Sequence, residues 1–342
     1  MTGLYGEGVF AHTCRNFSGI KEGGTCMTLR DLGFYRGVDL GGWLSQCDYS
    51  RERMDSFITE KDMDVIADWG LDHVRIPVDY NILENQDGSY KKDGFERIER
   101  AIGWCRTRKM KAVLDLHKTF GFSFDSGEKE EGFFHNKEAQ ERFYRLWEEL
   151  AAHFCSPEDV AFELLNEVTD PAFIQEWNRI AGNCIAGIRR TAPRTLILVG
   201  SYRNNSADAV PDLAPPADDR VIYNFHCYTP LEFTHQGAPW VPWLDLDARV
   251  SFREAGITEK MFENLFMPSI QAAEKNHTCL YCGEYGVIDR ASPEDTVLWY
   301  RTIHSVLEKY QISRAAWTYK QMDFGLSDTR MDGVRKELIQ YL

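Results

Sequence analysis

The chain has 342 residues, 43% of them hydrophobic and 13% aromatic, with 39 basic against 53 acidic residues and a net charge of −14. This length suits one large α/β barrel, about 250 residues plus loop insertions, with a sizeable core. The acidic balance argues against nucleic acid or an anionic membrane as partners, and nothing basic is arrayed to hold phosphate, so a neutral substrate is expected.

Met1 to Phe10 offers neither a basic n-region nor an apolar h-region, so no signal peptide is expected and the chain reads as cytoplasmic. No stretch approaches the roughly 20 apolar residues of a membrane span. Nine cysteines, an odd number, read as reduced and largely buried thiols. Cys279 and Cys282 form a C-x-x-C inside a predicted strand, where a separation of three puts them on opposite faces, and no second pair exists. Packing is therefore expected of them, and neither a metal nor a cofactor. The sequons at Asn16, Asn204 and Asn276 carry no meaning without secretion.

Residues 1–30 are rich in Gly and polar residues without clear periodicity, and read as an extension, across a barrel bottom or partly disordered. Residues 31–342 read as one catalytic domain. Its first strand is predicted over 37–42. A helix follows, opened by a capping box of Thr59 and Asp62 and ended by Gly70. Strand 73–78 precedes a helix with the stripe Ile98, Ala101, Ile102, Cys105. Strand 111–117 precedes the stripe Phe143, Leu146, Trp147, Leu150, and strand 160–167 the stripe Trp177, Ile180, Ala181, Cys184, Ile188. After strand 195–201, Pro211, Pro215 and Pro216 point to an irregular link. Strands 221–228, 279–285 and 314–319 follow, with the stripe Trp299, Ile303, Val306, Leu307 before the last. Most strands are short apolar runs, as in a parallel sheet buried on both faces. Eight strand–helix alternations imply a (β/α)₈ TIM barrel with loop insertions at its C-terminal face.

Two of the apolar runs end on glutamate: Leu164-Leu165-Asn166-Glu167 and Tyr281-Cys282-Gly283-Glu284. A carboxylate leaving a buried strand is costly unless something uses or pairs it. Two of them beside one pocket are the equipment of glycosidic bond hydrolysis, one as acid and the other as nucleophile. Polar residues at the other strand ends form a ring with them: Arg75, His117, Asn166, His226, Tyr228 and Trp317. Asn224, His226 and Tyr228 share a strand face, as do Asp115 and His117. Glu163 reads as a deeper network member paired with a cation.

In this order and on these strands, Arg75, His117, Asn166-Glu167, His226-x-Tyr228, Glu284 and Trp317 resemble the signature of glycoside hydrolase family 5, the cellulase family. The resemblance runs from about Arg36 to the C-terminus. Asp39-Leu40-Gly41-Gly42-Trp43, Tyr223-Asn224-Phe225-His226, Phe233-Thr234-His235-Gln236 and Tyr319-Lys320-Gln321-Met322-Asp323-Phe324 are similar to the clostridial cellulase C type of endoglucanase. The resemblance implies Glu167 as general acid/base, with a raised pKa, and Glu284 as an ionised nucleophile held by Arg75 and the Tyr228 hydroxyl. It implies that Asn166 donates to the sugar 2-hydroxyl, that His117 and His226 position sugar and acid, and that Trp317 floors the subsite under attack. The outcome would be retention, with carboxyls about 5–5.5 Å apart.

A flat sugar face needs apolar platforms, and the insertion at about 229–258 offers Phe233, His235, Trp240 and Trp243. Trp43 is another candidate; Lys320 and Asp323 could bond outer hydroxyls. Trp240 and Trp243 read equally as loop packing, and Lys320 equally as a surface salt bridge. The expected substrate is a β-1,4-linked or mixed-linkage glucan or its oligosaccharides. The alternatives are a β-1,3-glucan, exo or endo, since residues 36–44 also resemble exo-β-1,3-glucanases of the same family, or a β-mannan. A metal-dependent hydrolase would need a His-x-His near the first strand, which is missing, and a Schiff-base aldolase an inward lysine, whereas Lys118 and Lys320 lie past their strand ends. The non-enzyme alternative is a catalytically silent oligosaccharide-binding barrel.

Overall fold

The computed structural model describes residues 20–22, 25–125, 132–156 and 158–342. Most of the expected N-terminal extension, with Cys14 and the Asn16 sequon, lies outside the described residues.

Eight parallel strands close into a barrel: β1 (Arg36–Asp39), β2 (His73–Asp79), β3 (Lys111–Lys118), β4 (Val160–Glu163), β5 (Leu196–Gly200), β6 (Val221–Cys227), β7 (Leu280–Tyr285) and β8 (Ser313–Ala316). Each pairs with its neighbours in sequence, and β8 closes onto β1 through Arg314–Arg36, Ala315–Gly37 and Ala316–Val38. The outer ring contains α1 (Glu60–Asp68), α2 (Lys92–Thr107), α3 (Lys137–Phe154), α4 (Ile174–Arg189), α5 (Glu259–Asn276) and α6 (Pro293–Lys309). After β5 the chain forms the 3₁₀ turn Ala207–Asp212, the irregular link that its prolines imply. A short pair, Ile20–Glu22 with Thr25–Met27, precedes the barrel.

Capping side chains mark the helix starts. Thr59 and Asp62 cap α1 reciprocally, Asn136 caps α3, and Ser292 with Pro293 opens α6. The stripes of α2, α3, α4 and α6 are all buried, and their contacts with the outward faces of the strands form the main core.

Inside the barrel the layers differ. At the N-terminal ends of the strands, Val113, Ala161, Ile222 and Ala315 pack against Leu29 and Phe34, so the described end of the N-terminal segment closes the barrel bottom. The His73 ring lies 5.9 Å from that of Phe34 and meets the Tyr281 hydroxyl at 2.7 Å. A Cβ at position 37 would come within 2.4 Å of that ring, so glycine is what lets the imidazole lie across the lumen. Higher still the lumen turns polar, and it opens into the site at the C-terminal ends of the strands.

Three strands end three or more residues earlier than expected, β1 at Asp39 among them. β4 stops at Glu163 and β8 at Ala316. Glu167 therefore lies four residues past its strand, at φ 42, so its direction is set by the loop and not by the period of two. Among the described residues no helix is long and apolar enough to cross a membrane.

Candidate active site

A cavity of about 780 Å³ opens at the C-terminal ends of the strands. It brings together His117, Asn166, Glu167, His226, Tyr228, Glu284 and Trp317 at its base, with His235, Trp240, Trp243 and Asp323 around its mouth.

Beneath it lies Arg75, fully buried on β2. Its Nε and Nη2 donate to the two oxygens of Glu163 at 2.7 and 2.8 Å. Nη1 donates to Glu284 Oε1 at 2.7 Å and to Asp39 at 3.0 Å. Nη2 also donates to Asn166 Oδ1 at 2.8 Å and lies 3.0 Å from Asp115. One guanidinium thus serves four carboxylates. Burial pushes Asp39, Asp115 and Glu163 toward the protonated form, Asp115 up to about 7, although Arg75 opposes the shift in each. Asn224 extends the network, donating to Glu163 at 2.9 Å and accepting from the Gly283 amide. Glu163 is thereby the paired member of the deeper network that its strand face suggested.

The two glutamates above the network meet different surroundings. Glu284 accepts from Arg75 on one oxygen and from the Tyr228 hydroxyl on the other at 2.8 Å, two donors that stabilise its charged form. Glu167 has weaker company: His226 Nδ1 at 2.9 Å and the Asn204 side-chain amide at 3.1 Å. Burial raises its pKa to about 7, against the lowering effects of Asn204, His117 and Arg75. An oxygen of each glutamate and a ring nitrogen of His226 lie within 4.8 Å of one another. Such a trio has the spacing of a cation site, but Glu284 already faces the guanidinium, and a second cation there would meet direct repulsion.

His226 and His117 are both buried, and burial brings each down to about 4. Both rings are therefore neutral near pH 7. His117 Nδ1 meets Asp115 at 2.5 Å, and its ring stacks on Trp317 with an interplanar angle of 2°. Asn166 Nδ2 is buried and has no partner, while Asn166 Oδ1 is occupied by Arg75. A donor left free at a cavity wall is available to a ligand hydroxyl.

Three helix tryptophans hold the loops that carry these groups. Trp147 on α3 donates to the Leu164 carbonyl at 3.0 Å, Trp177 on α4 to Gly200 at 2.8 Å and Trp299 on α6 to Thr229 at 3.1 Å. Each indole satisfies a carbonyl where a strand gives way to the loop of Glu167, Asn204 or Tyr228.

The mouth corrects several expectations. Trp43 is no platform: it is 2% exposed, stacks on Trp104 of α2, and donates to the Met54 carbonyl. Its ring turns outward between barrel and helix. Lys320 is ion-paired with Asp62 of α1 at 2.9 Å and lies outside the cavity lining. Phe233 is fully buried. His235 does line the cavity, edge-on to Tyr228 at 4.9 Å and to Trp240 at 6.3 Å. Trp240 and Trp243, both in the cavity lining, are 42% and 60% exposed. Sequence reasoning missed Asn204 and Asn205, which reach Glu167 and His226 from the loop after β5. The only sequence signal was the Asn-Asn pair just past a strand end.

Comparison with known proteins agrees with this geometry. Residues 40–323 match the family described as Cellulase (glycosyl hydrolase family 5). The chain is 56% identical over 287 residues to cellodextrinase A of Ruminococcus flavefaciens, covering 84% of this chain and 85% of that protein. It is 36% identical over 339 residues to endoglucanase C of Acetivibrio thermocellus, covering 91% and 98% respectively. Among solved structures, Thermotoga maritima Cel5A in complex with mannotriose superposes with a TM-score of 0.78 at 26% identity, covering 92% of this chain and 99% of that one. With the eight-stranded barrel, the polar ring at its C-terminal mouth and a family match over most of its length, the chain belongs to the cellulase family, glycosyl hydrolase family 5, and is a β-glycoside hydrolase of the endoglucanase type.

Proposed function

We propose that the enzyme cleaves β-1,4-linked or mixed-linkage glucan, or the oligosaccharides derived from it, with retention of configuration. The observation that carries this reading is the pairing of Glu167 and Glu284: oxygens within 4.8 Å of each other, in opposite electrostatic settings. Retaining enzymes hold their carboxyls about 5–5.5 Å apart, inverting ones about 6.5–9.5 Å to admit a water.

Glu284, held as a carboxylate by Arg75 and Tyr228, attacks the anomeric carbon. Glu167, protonated near neutral pH, gives its proton to the leaving oxygen, so the aglycone departs as Glu284 bonds the anomeric carbon in the glycosyl-enzyme. The same residue, now a carboxylate, takes a proton from water as it displaces Glu284. Asn166 Nδ2, the free buried donor, bonds the sugar 2-hydroxyl, an interaction that strengthens as positive charge develops on the ring. Trp317, backed by His117, floors that sugar, and His235, Trp240 and Trp243 offer the aromatic surface for neighbouring units. The names of the relatives, a cellodextrinase and an endoglucanase, favour a β-1,4-linked substrate. Mannotriose on Thermotoga maritima Cel5A makes β-mannan the second reading.

The test is product analysis on soluble β-glucans, mannan and short β-linked oligosaccharides, with the anomer followed by proton NMR and Glu284→Gln as control. Initial release of the β-anomer from a β-1,4-linked substrate, abolished in the control, is expected. Initial release of the α-anomer, or full turnover by Glu284→Gln, would overturn the mechanism.

A further inference from the structure

The loop after β5 runs through three consecutive residues in the left-handed region: Arg203, Asn204 and Asn205, at φ 51, 55 and 55. Such conformations are uncommon outside glycine, asparagine makes them least costly, and three in a row are held only where the surroundings impose them. Here the Arg203 and Asn204 amides donate to the carbonyls of Thr169 and Val168, tying the run to the segment just after Glu167. Asn204 then donates to Glu167 Oε2 at 3.1 Å. Asn205, fully buried, meets His226 Nε2 at 3.3 Å, and His226 Nδ1 meets Glu167 Oε1 at 2.9 Å. Gly200, the last residue of β5, makes the room: a Cβ there would come within 2.3 Å of the Asn205 amide. The carboxyl is thus gripped from two sides by adjacent residues of one strained loop.

We infer that Asn204 and Asn205 are positioning residues that set the protonation and direction of Glu167, Asn204 by direct donation and Asn205 by fixing the tautomer of His226. The inference rests on Glu167 being the acid/base. With the Asn205 amide donating to Nε2, the ring proton belongs on Nδ1, from which His226 donates to Oε1. The transferable proton then belongs on Oε2, the oxygen Asn204 holds. The charged and titratable groups around Glu167 come from five other elements: Arg75 from β2, Asp115 and His117 from β3, Asp125 from the loop beyond it, His226 and Tyr228 from β6 and its end, and Glu284 from β7. Against that background Asn204 is the neighbour that lowers the Glu167 pKa most.

The experiment is the pH profile of kcat/KM on a β-linked oligosaccharide with an unactivated leaving group. In the wild type the alkaline limb reports loss of the acid's proton. Asn204→Ala removes a donor to the ionised form and moves that limb upward by about one pH unit, as expected for one hydrogen bond to a carboxylate. Asn204→Asp moves it further up by adding a like charge. Asn205→Asp also moves it up: a carboxylate beside Nε2 draws the ring proton to that nitrogen, leaving Nδ1 to accept from protonated Glu167, and it adds a negative charge nearby. A merely structural role would lower the rate without moving the limb. Limbs unmoved in all three variants, with unchanged thermal unfolding, would overturn the inference. Glu167→Ala on an activated aryl glycoside separates the two readings. If its alkaline limb vanishes, the limb belongs to Glu167 and the asparagine variants judge this inference alone. If the limb persists, the acid/base reading itself fails, and with it the inference.

Discussion

Replacing Arg75 with methionine keeps much of the side-chain volume and removes the charge that four buried carboxylates share. Asp39, Asp115 and Glu163 are fully buried, and only Glu284 borders the cavity. Deleting one partner of a buried ion pair typically costs about 3–5 kcal/mol, a large part of a total stability of about 5–15 kcal/mol. The cost here depends on pH, and its sign follows from the network. Asp39, Asp115 and Glu163 have raised pKa values even with the guanidinium present, Asp115 to about 7. A group raised in the folded state contributes stability below its unfolded pKa and loses it as pH rises through the folded one. Without Arg75 these values climb further, so the variant binds more protons folded than unfolded over a wider range. Each extra proton costs about 1.4 kcal/mol per pH unit. The stability gap to wild type is therefore expected to be small near pH 5 and to widen by about 2–4 kcal/mol near pH 8, as one extra proton is retained. Urea unfolding of both proteins at the two pH values measures it. A gap that is constant with pH, or that narrows as pH rises, would refute the reasoning.

The corrected tryptophan and the exposed ones are expected to behave oppositely. Trp43→Ala empties a site between β1 and α2 and should cost about 3–5 kcal/mol of stability, while folded enzyme keeps its kcat/KM on a short substrate; thermal unfolding and initial rates check both halves. Trp243→Ala and Trp240→Ala should leave stability within about 0.5 kcal/mol and raise KM for longer oligosaccharides about fivefold, the equivalent of roughly 1 kcal/mol of ring stacking. An unchanged KM across chain lengths would remove these rings from the substrate path.

Much of the architecture was legible because it follows from local chemistry. The stripes of α2, α3, α4 and α6 face the barrel because a period of 3.6 leaves one apolar side, and the apolar strands lie between them because both strand faces are covered. Arg75, His117, Asn166, Glu167, His226, Tyr228, Glu284 and Trp317 could be picked out because polar residues at the ends of such strands need either partners or work. Their convergence on one cavity, with Arg75 beneath it, then follows from barrel closure.

Other features turn on contacts between segments remote in sequence. Trp43 follows a strand end just as a platform would; only Trp104 and the Met54 carbonyl direct its ring into the core. Lys320 is turned from the cavity by Asp62, some 258 residues away. Glu167 lies past the end of β4, so its aim comes from the Trp147 indole on the Leu164 carbonyl and from the loop of Asn204. The sequence by itself determined the barrel, its stripes and the residue types at its mouth, since periodicity and burial cost act over a few neighbouring positions. Only the tertiary structure decided which rings line the cavity, which cations are paired away from it, and which donors surround each of the two glutamates, because each depends on the groups that other strands and loops bring within hydrogen-bonding distance.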